Sequence, residues 1–165
     1  LAENINVFPL NQLGSREGFP VIISNRQFKL DEPYLHLVPK NIILGIGSRQ
    51  GVTVQQVEKA VDNALEELNL CQESIKLLAT VDLKEEETGI LEFANKLDVK
   101  LNIINRAEIK ACEFDYTKSD FVKKMIGVGG VCEPVAMISA QNPQLLVPKR
   151  SNQGVTVAVV EESYM

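Results

Sequence analysis

The segment Gly45-Ile46-Gly47-Ser48-Arg49-Gln50-Gly51 follows the apolar run Ile42-Ile43-Leu44 and precedes an amphipathic helical pattern. Strand, glycine turn and helix in that order aim backbone N–H groups at the space beyond the strand end. Such a nest binds anions without any basic side chain. A second glycine cluster, Gly127-Val128-Gly129-Gly130, stands far downstream. Arg49 has the fork geometry to hold a ligand carboxylate, or it is a solvated charge beside the helix. Lys84 sits in the acidic stretch Glu85-Glu86-Glu87, where it either meets a ligand or offsets those charges. Glu133 near a helix start suits the helix dipole, and any catalysis would fall to carboxylates, hydroxyls or lysine. Lys149 and Arg150 fall in a polar turn, where a solvated role competes with ligand binding.

Other chemistries fit poorly. Gly51 comes one place too late for the dinucleotide motif G-x-G-x-x-G, and Asp82 lies well beyond the usual acidic position. A Walker A loop would need Lys-Ser or Lys-Thr, which is missing. The only histidine, His36, alternates with Leu35 and Leu37 and reads as structural. No Ser/His/Asp or Cys/His set can be built around it. Cys71, Cys112 and Cys132 are odd in number and spaced 41 and 20 apart, which matches neither a disulfide framework nor a metal site. Reduced thiols are the expected state.

The elements that must position these residues alternate. Ile42–Ile46, Ile75–Val81 and Val99–Ile103 read as buried strands. Thr53–Asn69 reads as a helix, with Thr53 and Gln56 at capping-box spacing and Val57, Val61, Ala64, Leu65 and Leu68 on one stripe. Thr88–Leu97 is a second helix. Asn105 and Glu108 repeat the capping-box spacing, and Ser119 is placed to cap a helix carrying Phe121, Val122 and Met125. Cys132–Ala140 reads as helix, with Pro134 tolerable in its first turn. Leu145–Val147 and Val155–Val160 are strands joined through 149–154, which predicts an antiparallel hairpin. The expected fold is α/β: a three-layer α/β/α sandwich with a mixed, mostly parallel sheet. Ligands of such sheets sit beyond the carboxyl ends of the strands.

Residues 1–40 differ from the rest. They carry four prolines and two short strand patterns, Val21–Ile23 and Tyr34–Val38. They read as the tail of a preceding region, with the main domain at 41–165. The start Leu1-Ala2-Glu3 reads as a segment of a longer protein. The chain has 165 residues, 45% hydrophobic and 24% charged, ordinary for a globular domain with a real core. A net charge of −5 argues against nucleic acid. No apolar run spans a bilayer, and no leader pattern opens the chain, so a cytoplasmic location is expected.

Four motifs in order carry a resemblance: Gly45–Arg49; Thr80-Val81-Asp82-Leu83-Lys84 with Glu87 and Gly89; Gly127–Val131 with Glu133; and Leu146-Val147-Pro148-Lys149 with Thr156–Val159. Over about residues 41–160 the chain resembles the C-terminal domain of the cobalamin-biosynthesis protein CbiG and its stand-alone relative CobE. Val21–Arg26 is similar to a strand end of the CbiG central region. The resemblance implies a three-layer α/β/α domain and a part in cobalt-precorrin 5A hydrolysis. That reaction opens a δ-lactone on the contracting macrocycle and releases the extruded carbon as acetaldehyde. CobE-like proteins imply the other reading, a corrinoid-binding module without chemistry of its own.

On this resemblance the ligand is a cobalt-corrinoid rich in carboxylates. No separate cofactor is needed, since cobalt enters only as part of the substrate. Gly45, Gly47, Ser48, Arg49, Lys84, Gly127, Gly129, Gly130 and Lys149 would bind it, with Glu133 or Glu87 as base and glycine N–H groups as the oxyanion site. A precorrin methyltransferase is an implied fusion or partner. The family commonly has Cys where this chain has Ser48, so a thiolate mechanism at that position is not available here.

Overall fold

The computed structural model describes residues 7, 18–112, 116–118, 124, 127 and 129–163. The helix expected after Ser119 lies outside the described residues, as do Val128 and most of 1–17.

Two short strands, β1 (Val21–Ile23) and β2 (Leu35–Leu37), form a small parallel sheet. The main sheet holds β3 (Ile42–Ser48), β4 (Ile75–Val81), β5 (Lys100–Ile104), β6 (Pro143–Asn152) and β7 (Val155–Glu162), in the spatial order β5-β4-β3-β7-β6. β3 pairs parallel with β4, and β4 with β5. β7 runs antiparallel to both β3 and β6. Four of the five strands therefore point the same way, and β7 alone opposes them.

Helices cover both faces. α1 (Val54–Glu66) and α2 (Thr88–Leu97) pack on one face, where Val57, Val61, Leu65, Ile90 and Phe93 meet Ile42, Leu44, Ile46, Val155, Val157 and Val159. α3 (Arg106–Ala111) and α4 (Cys132–Ile138) cover the other, where Ile109, Val135 and Ala136 meet Ile43, Leu77, Ala79 and Val160. Residues 42, 44 and 46 face one core and 43 the other because a strand alternates its side chains. Both faces of β3 are buried, which explains its uninterrupted apolar run. This is the three-layer α/β/α arrangement.

Local chemistry sets the helix ends. Thr53 and Gln56 form a reciprocal capping box on α1, and Asn105 and Glu108 do the same on α3. α2 ends at Asp98, which takes a left-handed conformation at φ 52°. Pro134 sits in the first turn of α4, where its missing N–H costs nothing.

Two placements differ from the sequence expectation. Strand β3 runs two residues past the expected Ile46, so Gly47 and Ser48 lie inside a strand rather than in a turn. Strand β6 runs on to Asn152, so Lys149 and Arg150 lie in a strand and not at a hairpin tip. The tip is Gln153-Gly154, both at positive φ, which matches the right-handed twist of the strands it joins.

The small sheet is tied to the main domain by the chain between its strands. Cys71 donates its N–H to the Asn25 carbonyl at 2.8 Å, and Gln27 donates to Asn69 at 2.8 Å. The Asn25 amide donates to Asn41 Oδ1 at 3.1 Å and to Glu161 Oε1 at 2.7 Å. His36 places Nε2 2.9 Å from the Ser24 carbonyl and lies edge-on to Phe28, a structural role.

Candidate functional site

The carboxyl ends of β3, β4 and β5 carry the loop 49–53, the short 3₁₀ turn Asp82–Lys84 and Asn105. The β6–β7 tip reaches the same edge, because Arg49 donates its N–H to the Gly154 carbonyl at 2.8 Å.

The glycine nest is built, and the chain's own carboxylate occupies it. Gly51, at φ 75°, and Val52 donate their N–H groups to Glu87 Oε1 at 2.7 and 3.1 Å. Lys84 Nζ meets Glu87 Oε2 at 3.1 Å. Both partners of that pair are largely buried, with side-chain exposures of 17% and 7%. Two residues on, Gly89 allows α2 to approach this loop: a Cβ there would stand 2.3 Å from the Val52 carbonyl oxygen. Glu87, Lys84 and Gly89 therefore hold the loop against the start of α2.

A second carboxylate works the same way on the opposite face. Glu133 is 2% exposed at the start of α4. Its Oε1 accepts from Thr117 Oγ1 at 2.9 Å and from the Lys149 N–H at 2.7 Å, and its Oε2 accepts from the Thr117 N–H. It joins β6 to the segment at 117. Gly129 and Gly130 fit beneath that segment: a Cβ on Gly130 would lie 2.8 Å from the Thr117 carbonyl oxygen, and one on Gly129 would lie 2.9 Å from Lys118 Cγ. Gly127, at φ 78°, is exposed near Lys110.

Gly45 and Gly47 face α4. A Cβ on Gly45 would stand 1.7 Å from the Cys132 carbonyl oxygen, and one on Gly47 would stand 2.6 Å from Thr156 Oγ1. Their bare backbone lets the start of α4 lie directly on the sheet. Burial pushes the Cys132 thiol up to about 11, with a hydrogen bond to Thr156 opposing the shift. It is a protonated, inert packing group at neutral pH. All three cysteines are free.

The expected site residues thus fall into two groups. Arg49, Lys84 and Glu87 gather on the α1/α2 side. Gly45, Gly47, Gly129, Gly130, Glu133 and Lys149 gather on the α4 side. Ser48 stands between them at the end of β3, and its Oγ is buried with no hydrogen-bond partner among the described residues. The Arg49 side chain is exposed over Gly154 with no ion pair among the described residues.

Sequence reasoning missed Thr117 and Arg106, and gave Thr156 no role beyond its place in a motif. Arg106 Nε lies 3.0 Å from Asp82 and links the start of α3 to the 3₁₀ turn. Arg150 is bound to Glu67, whose carboxyl this hydrogen bond holds below its ordinary value. Two open clefts lie elsewhere. One of about 440 Å³ is lined by Glu108, Ala111, Cys112, Met137, Ile138 and Ala140. One of about 220 Å³ lies at Ala60, Asn63, Glu67, Arg150, Ser151 and Asn152. Among the described residues no cluster of His, Cys, Asp and Glu could hold a metal ion, and no helix is long and apolar enough to cross a membrane.

Known proteins resemble this chain in sequence and fold. A probable cobalt-precorrin-5A hydrolase of Methanocaldococcus jannaschii is 31% identical over 162 residues, covering 92% of this chain and 50% of that protein. The crystal structure of CobE, a protein from the cobalamin biosynthetic pathway, matches with a TM-score of 0.69 at 23% identity, covering 76% of this chain and 92% of that one. That likeness shows a common fold. A cobalamin biosynthesis protein G homolog from Sulfolobus solfataricus matches with a TM-score of 0.60 at 28% identity, covering 97% of this chain and 48% of that one. The chain spans half or less of the length of the curated relatives it matches. The sequence model of one family matches residues 42–160, and the chain belongs to that family, the cobalamin synthesis G C-terminus.

Proposed function

We propose that this chain is the C-terminal part of a cobalt-precorrin-5A hydrolase of cobalamin biosynthesis, working in the cytoplasm. The observation that carries this reading is the 31% identity to the Methanocaldococcus jannaschii relative, which runs over 162 residues and so takes in the small sheet as well as the main domain. In the reaction, water opens a δ-lactone on the macrocycle and the extruded carbon leaves as acetaldehyde. Cobalt arrives with the substrate.

Lactone opening needs an activated water and a stabilised oxyanion. Glu87 and Glu133 each accept three hydrogen bonds from the chain. This favours them as positioning residues for the glycine loop and for the segment at 117. Arg49 and Lys149 are left to meet the macrocycle's carboxylates, with Gly129 and Gly130 shaping the α4 side of the edge. A precorrin methyltransferase, fused or separate, is the partner this reading expects.

A second reading is a corrinoid-holding module without chemistry. It is favoured by the CobE structure, 92% of which this chain covers. Incubating the 165-residue chain and the complete reading frame with cobalt-precorrin 5A distinguishes the two. Acetaldehyde from the complete protein supports the hydrolase. Substrate binding with no acetaldehyde from either supports the module. If neither binds nor converts the substrate, both readings fail.

A further inference from the structure

The small sheet β1–β2 presents an apolar face to solvent. Its register places Val21 beside Leu35 and Ile23 beside Leu37. These four side chains are 52%, 47%, 71% and 46% exposed, and Phe19 next to them is 65% exposed. The alternating residues turn the other way: Ile22 is 2% exposed and His36 is half-buried against Phe28 and the Ser24 carbonyl. One face is therefore packed and the other, made wholly of Val, Ile, Leu and Phe, is open.

Three features bear on what this open face does. Parallel sheets are covered on both faces in almost every fold. A sheet of two strands, three residues each, is too small to persist alone. The segment that joins these strands is nonetheless fixed to the main domain through Asn25, Gln27 and Cys71, so the open face is held in a defined direction. Patches of this kind on soluble proteins mark association sites.

The length of the relatives identifies the occupant. The Sulfolobus solfataricus structure accounts for 97% of this chain with only 48% of its own. The small sheet falls within the matched part, and about as much polypeptide again lies outside it. We infer that the β1–β2 face is the seat of that other half of the protein, which adds strands at the open sheet edges and an apolar layer over Val21, Ile23, Leu35, Leu37 and Phe19. This inference rests on family membership and chain length, not on the lactone chemistry, and its test contains no substrate.

The test compares amide hydrogen exchange in the 165-residue chain and in the complete reading frame. Amides of 19, 21–24 and 34–38 are expected to exchange at least tenfold more slowly in the complete protein. The double variant Ile23→Asp/Leu37→Asp should leave the thermal midpoint of the 165-residue chain within about a degree, because both side chains are solvent-exposed. The same variant should return exchange in the complete protein to the rate of the shorter chain. Equal exchange in the two forms overturns the inference. So does a reading frame that adds no further polypeptide. Concentration-dependent dimerisation of the complete protein that the double variant abolishes also overturns it, since a second copy would then hold the face.

Discussion

Glu87 reaches back from the start of α2 to accept the backbone N–H of Gly51 at 2.7 Å, and so fills the anion nest that the loop creates. The loop is organised before any ligand arrives. This relationship, across 36 residues of sequence, ties the glycine loop to the motif that runs from Thr80 to Glu87.

Replacing Glu87 therefore disturbs the loop first. Glu87→Ala leaves two N–H groups and the Lys84 ammonium without their partner in a poorly solvated place. The expected cost is about 3 kcal/mol, and Glu87→Gln about half of that, measured by urea denaturation. Lys84→Met is the milder change, since Glu87 keeps both backbone donors. If the carboxylate instead served only chemistry, the midpoint would not move while acetaldehyde release by the complete protein collapsed.

Glu133 should behave in parallel on the opposite face. Glu133→Gln puts an amide where a carboxylate oxygen accepts, and is expected to cost about 2 kcal/mol. The Lys149 and Thr117 amides should then exchange measurably faster. Thr117→Val removes only the hydroxyl bond and should cost about 1 kcal/mol.

The glycines divide by what surrounds them. Gly45→Ala drives a methyl group into the Cys132 carbonyl at 1.7 Å and should destabilise by about 3 kcal/mol, because backbone must move. Gly51→Ala has open space around it and carries only the left-handed backbone cost at φ 75°, about 1 kcal/mol. Chemical denaturation of the two variants side by side checks the order.

Cys132 gives a pH dependence of known sign. Its thiol is raised from 9.0 unfolded to about 11 folded by burial. The unfolded chain therefore loses its proton first. This contribution to stability is complete below pH 9 and falls by about 2–3 kcal/mol as pH rises to 11. Cys132→Ala should flatten the slope of stability against pH over that window. At pH 7.5 an alkylating reagent should modify the half-exposed Cys112 well before Cys132.

Much of the fold could be read from periodicity. The alternating strands and helices, both capping boxes and the burial of β3 were all visible in local pattern. Gly47 was misplaced because a tight turn and a close helix–strand approach make the same demand, the absence of a Cβ. Lys149 and Arg150 were misplaced because register shifts at Leu145/Val147 and Val147/Arg150 break the strand's alternation. The roles of Glu87 and Glu133 depend on partners 35 and 16 residues away, which no local spacing reveals. Thr117 carried no sequence signal at all. Ser48 was noticed for its chemistry, and the structure adds that its hydroxyl is buried without a partner.

The position of β7 bears on how the molecule is made. It lies between β3 and β6, so the first-made and the second-last-made strands of the main sheet are joined only by the last. A nascent chain on the ribosome can pair β3, β4 and β5, but the apolar edge of β3 stays open until residue 162 emerges. Such distant pairing closes slowly and exposes an edge to neighbouring chains meanwhile. The interval between the synthesis of β5 and that of β7 is therefore the period in which the unfinished sheet is most open to wrong pairing.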